Sequence, residues 1–440
     1  MTAKGTAQNP GATQVPDGAG DGGRELWDPA VQALDAATVA ARAMAGLRDT
    51  WARMWDLPFY AERYVAAGFT RGEMPPLGEI PRVTKADHRA DEAAHPPFGR
   101  HRAVGIDDAL RIGVSTGTTG TPTFIFYGPR DLDAMVRVSV RNNWRLGLRA
   151  GDRFTHSWPQ YLYPTSAHGG RPYLELGVVE IPVGPPFSPE VAAEHLHVWE
   201  QLRPTGFMMT ASQFQTYEKV GEEVGIDFAQ LLEGHLLVYL DLACQFESPR
   251  RRIEDAYGVR LHNLSGASEV PAFSVNDSRF HHGFQAAGDH VYLEVCDPVT
   301  GDPVPDGEPG HLVVSTFGLD ACHLRYDIED FVVRSTDIDP TGETGPRYVL
   351  IGRGADAVTV GGRRVFPLDV QLALDAHGAP EFQLVHGEDD AMLRVRVEHE
   401  GDGAGIAAVL EQQLAVPVSV EIVGTGSLPR AAFKPRRIAQ

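Results

Sequence analysis

Residues 110–240 alternate short apolar or β-branched runs with amphipathic stretches of helical length, and no other feature restricts the fold as much. The run Phe124–Tyr127 precedes a helical pattern over Asp131–Leu146, and Gly177–Val183 precedes another over Pro189–Leu202. A strand that returns through a helix lies parallel to its predecessor and needs helices on its faces, so this alternation predicts an α/β sheet. Upstream, Val31, Leu34, Val39, Ala43, Leu47, Trp51 and Trp55 recur at helical spacing and predict helix from Leu26 to about Gly68. Downstream, His290–Cys296, His311–Thr316 and Phe331–Arg334 read as strands of a smaller β subdomain. After Arg353 come short strands such as Ala391–Val397 and a helix near Ala404–Leu414. Gly352, Gly354, Gly361 and Gly362 crowd the entry to this last unit and predict a hinge. The expected architecture is α/β, with a large N-terminal domain over 26–352 and a small mobile C-terminal α+β domain over 353–440. Residues 1–25 have almost nothing to bury and read as a disordered leader.

Charge narrows the function. Acids exceed bases by 59 to 39 over 440 residues, a net charge of −20. That balance argues against nucleic acid or a membrane surface as partner, while a local site can still oppose the global sign. No apolar run approaches the roughly 18 residues of a membrane span. Cys244, Cys296 and Cys322 are isolated, which argues against a disulfide framework and fits a reducing cytoplasm.

The chemistry concentrates in Val114-Ser115-Thr116-Gly117-Thr118-Thr119-Gly120-Thr121-Pro122-Thr123. Gly117 and Gly120 let the backbone curl so that several N–H groups face one anion. Hydroxyls on Ser115, Thr116, Thr118, Thr119 and Thr121 can donate to phosphate oxygens. No Lys-Ser/Thr pair follows Gly120, so this is not a Walker loop. From composition alone a phosphate cradle and a hydroxyl-rich hairpin turn both stay open.

This loop resembles the Ser/Thr/Gly-rich nucleotide loop of the adenylate-forming superfamily, and more narrowly the phenylacetate-CoA ligases. Further segments occur in the order that family would have them: Pro58-Phe59-Tyr60, Thr84-Lys85-Ala86-Asp87, Pro97-Phe98-Gly99, Gly266-Ala267-Ser268-Glu269-Val270, Leu324-Arg325-Tyr326 with Asp330, Gly352-Arg353 with Asp356, Gly362 with Val365-Phe366-Pro367, and Pro429-Arg430 with Lys434. The resemblance implies that Ser115, Thr116, Gly117, Thr118, Thr119, Gly120 and Ser268 hold the ATP phosphates. It implies that Glu269 carries Mg²⁺, that Asp330 anchors the ribose, with Arg353 beside the nucleotide, and that Lys434 is the acylation lysine. Gly362 would give a pantetheine arm of coenzyme A close access to the backbone. The chain departs from the family at five places: Thr121 and Ala355 replace a common lysine and the hinge acid, Phe433 a glycine, Ser265 an aromatic residue, and Asp241-Leu242-Ala243-Cys244 the small/acidic/Pro adenine segment.

Phe154, His156, Trp158, Tyr161 and Tyr163 cluster within ten residues, and Met208, Met209, Thr210, Ser212 and Gln213 form a second candidate wall. Aromatic rings with a few polar groups suit a planar acid better than a long acyl chain. His156, Trp158, Tyr161, Tyr163, Ser212, Gln213 and Gly266 are therefore the expected substrate contacts. His156, Ser212 and Gln213 are expected to read a ring hydroxyl or amino group, favouring a hydroxy- or aminobenzoate. His281, His282, His290 and Cys296 match no familiar zinc spacing, and the histidines read as surface groups. Expected reactants are an aromatic acid, ATP with Mg²⁺, and coenzyme A. A carrier-protein thiol or an amine as acceptor, a non-catalytic nucleotide-binding role, and assembly as a homodimer are left open.

Overall fold

The computed structural model describes residues 26–116, 122–160, 162–277, 283–336, 342–378, 380–385, 391–401, 403–429 and 437–439. The predicted alternation is there as a five-stranded sheet, all parallel, ordered Val179–Pro182, Arg153–His156, Gly206–Thr210, Leu236–Leu240 and Arg260–His262, but the run Phe124–Tyr127 does not join it, because it pairs antiparallel with the strand just before it. Helices Pro189–Leu202 and Ala211–Val224 cover one face through Leu196, Trp199, Phe214 and Tyr217, all buried. Helix Pro129–Leu146 covers the other through Val136 and Val140. Each helix starts on a local device: the Ser188 hydroxyl accepts from the Val191 N–H, and Thr210 forms a capping box with Gln213. Helix Pro129–Leu146 ends at Gly147, whose φ of +102° favours glycine, with the Arg260 guanidinium where a Cβ would sit.

The β subdomain is a largely antiparallel sheet, ordered Val291–Cys296, Pro309–Thr316, Tyr326–Arg334, Arg347–Arg353, Phe284–Ala286, Ser274–Asp277 and Leu264–Gly266. Helix Ala36–Met54 packs Ala43, Leu47 and Trp51 against it, as the helical spacing predicted. An eighth strand, Val83–Thr84, pairs in parallel with Tyr326–Asp327 and leads straight into helix Lys85–Ala94. Arg325 locks this junction. It is 2% exposed, donates to the carbonyls of Gly78, Ile80 and Gly301 at 2.7–3.0 Å, and pairs with Glu294 at 3.2 Å. Its role is therefore internal to the fold.

Strands Arg111–Thr116 and Pro122–Tyr127 form an antiparallel hairpin with Thr116 opposite Pro122. Gly117, Thr118, Thr119, Gly120 and Thr121 fall between them, outside the described residues. Beyond Arg353, strands Val358–Val360 and Arg363–Val365 pair as a hairpin, and helices Pro367–Asp375 and Gly403–Leu414 pack with a sheet of Val418–Val423, Leu393–Glu398, Phe382–Val385 and Ile438–Ala439. This part has its own apolar cluster, including Val370, Leu374, Phe382, Val395 and Leu410. Polar contacts tie it to the parallel sheet and its helices. Gln371 donates to both carboxylate oxygens of Asp241 at 2.8 and 2.9 Å, Asp375 accepts from Ser248 and Arg252, and Glu381 accepts from Gln215.

Candidate active site

Glu269 follows the short strand Leu264–Gly266 on a turn pinned from several sides. The Tyr127 hydroxyl reaches the carbonyls of Pro164 and Ser268 at 3.3 and 3.4 Å, and the His323 Nε2–H donates to the Glu269 carbonyl at 3.0 Å. The Tyr163 hydroxyl is hydrogen-bonded to the Ser268 side chain, and burial pushes this phenol up to about 12. These contacts bring Tyr163, Ser268 and Glu269 together from segments a hundred residues apart in the chain.

The Glu269 carboxylate is only 18% exposed and is ion-paired with the Lys85 ammonium. Burial works to raise its pKa, but Lys85 and the more distant Arg353 outweigh it and hold the group below the ordinary glutamate range. The site thus keeps an ionised hard-oxygen donor away from bulk water. Among the described residues no group of three His, Cys, Asp or Glu side chains could hold a metal. A cation here would take one protein carboxylate and complete its shell with phosphate and water oxygens, the usual Mg²⁺ arrangement. The residues present fit that ion.

Asp330 and Arg353 face each other across neighbouring strands at 3.6 Å, where the β subdomain gives way to the final unit. Arg353 is 54% exposed and Asp330 only 20%, so the pair sits at a rim. Ser115 lies on the hairpin opposite Thr123, its Oγ buried without a partner in the structure. Thr116 ends the same strand.

All strands of the parallel sheet end at one edge, and residues just past those ends are where open α/β sheets bind ligands. His156 ends Arg153–His156, Ser212 and Gln213 follow Gly206–Thr210, and Asp241 follows Leu236–Leu240. The His156 ring is 2% exposed, stacks on Tyr173, and pairs through Nε2 with Glu180 at 3.0 Å, leaving Nδ1 buried with no partner in the structure. Trp158 meets Tyr163 edge to face at 5.4 Å. Ser212 is buried. Gln213 is buried; its Oε1 accepts from the Thr210 N–H and its Nε2 donates to the Ser157 carbonyl, so its amide holds two backbone segments together at the strand end. Gly266 is exposed, opposite Ser274. Gly362 makes a two-residue hairpin turn with Gly361, at φ of +82° and +55°, with open space within 4 Å of a Cβ added at either position. Lys434 and Tyr161 lie outside the described residues.

Sequence reasoning assigned no role to Lys85 or Arg89. The readable signal was Thr84-Lys85-Ala86-Asp87, a capping box that puts both cations in the first turns of its helix. Nothing local announced that this helix faces Glu269.

No family model matches the chain. The phenylacetate-coenzyme A ligase of Thermus thermophilus is 28% identical over 387 residues, covering 84% of each chain. A solved 2-hydroxyisobutyryl-CoA ligase, in its postadenylation state with 2-HIB-AMP, superposes at a TM-score of 0.82 with 25% identity, covering 93% of this chain and 91% of that one. In sequence and in fold the chain is thus similar to phenylacetate-CoA ligases and to a 2-hydroxyisobutyryl-CoA ligase. The same 2-hydroxyisobutyryl-CoA ligase in its thioesterification state, with coenzyme A, superposes at only 0.69 with 26% identity over 94% of this chain and 92% of that one. The arrangement of this chain thus superposes better on the postadenylation structure than on the thioesterification one.

Proposed function

We propose that this chain is an AMP-forming acid–thiol ligase that activates a substituted benzoate with ATP and passes the acyl group to coenzyme A. The observation that carries the reading is the ionised, largely buried Glu269 carboxylate, on a turn whose Ser268 is hydrogen-bonded by Tyr163. In the first half-reaction a carboxylate oxygen of the acid bonds to the α-phosphorus, and the bond from that phosphorus to the bridging oxygen breaks. Pyrophosphate leaves with the electron pair. In the second, the thiolate of coenzyme A bonds to the acyl carbon and AMP leaves.

Two anions must meet in the first step, so the site has to offset their repulsion. Glu269 would hold Mg²⁺, which supplies charge neutralisation at the phosphates. Ser115, Thr116 and Ser268 would donate to phosphate oxygens, together with Gly117, Thr118, Thr119 and Gly120. Asp330 would accept from the ribose hydroxyls, Arg353 would add positive charge, and Lys434 would stabilise charge developing at the acyl phosphate. His156 favours an acid bearing a hydroxyl or amino group. With its Nε2–H committed to Glu180, its unpartnered Nδ1 can only accept. Trp158 and Tyr163 would line the ring, with Ser212 close by. The domain division at 352/353 belongs to the same reading, since the two half-reactions need two poses of the C-terminal part.

ATP–pyrophosphate exchange with a panel of benzoates, without acceptor, tests the first half-reaction, and thioester formation on adding coenzyme A tests the second. Exchange with hydroxy- or aminobenzoates followed by a thioester is expected. Exchange without a thioester would move the acceptor to a carrier-protein thiol or an amine. No exchange in a folded protein with Mg²⁺ present would overturn the ligase reading for these acids.

A further inference from the structure

The loop that the proposed function assigns to the phosphates carries five hydroxyls between Ser115 and Thr121 and no charged side chain. Positive charge must therefore come from elsewhere in the fold. A pocket beside the hairpin supplies it. One wall is Thr123–Phe126, on the strand that leaves the loop; the facing wall is helix Lys85–Ala94, and Glu269 and His323 close it.

Its ionic partners can be counted. Lys85 is committed to Glu269. Arg102 is committed to Glu92 and to the carbonyls of Phe98 and Phe124, and lies over the Phe126 ring. His101 and His323 are neutral at pH 7, because burial pushes both down to about 4, and His88 is pushed down in the same way. Lys85, Arg89 and Arg102 thus stand against Glu92 and Glu269, leaving one surplus positive charge in a chain of net −20. The surplus is Arg89. It is half-buried, forms no hydrogen bond or ion pair with a described residue, and its Nε is buried without a partner. A guanidinium withdrawn from water without a partner is costly, and a bound anion would offset that cost.

Resting on the ligase reading, we propose that Arg89 binds the pyrophosphate leaving group in this pocket, next to the Glu269 turn. The planar guanidinium fork suits the oxygens of a phosphate anhydride, and its surplus charge answers the negative charge that the departing group gains when its bond to the α-phosphorus breaks. Residues of the apolar and neutral walls, Phe124, Phe126 and the histidines, keep the local dielectric low and make one charge count for more.

The test measures inorganic pyrophosphate binding to the full chain by calorimetry, with AMP and adenosine 3′,5′-bisphosphate as separate arms. Arg89→Gln should weaken pyrophosphate at least ten-fold, leave AMP unchanged and keep the wild-type melting curve. Arg89→Lys, which keeps the charge and loses the fork, should fall between. In the unmodified protein, pyrophosphate should protect Arg89 from phenylglyoxal, read by peptide mass spectrometry, so the assignment does not depend on a variant that folds. Unchanged pyrophosphate affinity in Arg89→Gln, no protection of Arg89, or a loss confined to adenosine 3′,5′-bisphosphate would overturn it. These assays need no acid substrate, so a failed benzoate panel would count against the ligase reading while protection of Arg89 would still establish the anion site.

Discussion

Glu269 and Lys85 illustrate what individual side chains do here. Burial alone would favour a protonated Glu269, and the ammonium beside it reverses that preference. Glu269→Gln keeps the shape and removes the charge; it should raise the Mg²⁺ concentration needed for half-maximal adenylation, and an unshifted Mg²⁺ titration would reject the ligand role. Lys434→Ala should slow adenylate formation by roughly 10²–10³, the scale of a lost charge stabiliser. An unchanged rate would remove Lys434 from that step. His156→Phe should erase the preference for hydroxy- or aminobenzoate over benzoate in the exchange assay while leaving benzoate itself active, because the acceptor Nδ1 is lost and the ring stack on Tyr173 is kept.

At the scale of an element, helix Lys85–Ala94 matters most. Its start is fixed by the Thr84–Asp87 capping box and by the pairing of Val83–Thr84 with Tyr326–Asp327. Thr84→Ala should cost about 1 kcal/mol of stability. It should also weaken pyrophosphate binding, since Lys85 and Arg89 ride on this helix; denaturant unfolding and calorimetry read the two effects. On the same helix His88 stacks on His101 at 4.0 Å, and His323 lines the pocket beside it. Their folded pKa values lie below the ordinary histidine value of 6.5, at about 4 for His101 and His323. Between these values the unfolded chain binds more protons than the folded one. Stability should therefore be full above about pH 6.5 and fall as pH drops toward 4, by about 1.4 kcal/mol per histidine for each unit of offset. Urea unfolding at pH 7 and pH 5 checks it; equal stability would show that these rings titrate normally.

For the whole molecule, the working question is how the C-terminal part is held. Gln371 on Asp241, Ser248 and Arg252 on Asp375, and Gln215 on Glu381 form a polar latch on a separately cored unit. Burial raises the pKa of Asp241, while the Arg437 charge and the Gln371 amide pull it back. Gln371→Ala removes one of the latch's donors. It should slow adenylation relative to thioester formation, as separately timed half-reactions would show; equal effects on both would mean that the latch does not select a pose.

The amino-acid sequence alone determined the alternation that makes the parallel sheet, the helix of Ala36–Met54, the β subdomain and the ordered motifs that place Glu269, Asp330 and Arg353, because periodicity, caps and turns act over a few residues. Only the tertiary structure decided which charges meet. Lys85 faces Glu269 across 184 positions of chain, Arg325 is buried by carbonyls from remote segments, and Gln213 is tied to its own helix cap and to the Ser157 carbonyl. Local pattern says that a residue is polar. Whether its hydrogen bonds and charge are spent inside the fold or left for a ligand depends on what the rest of the chain brings beside it.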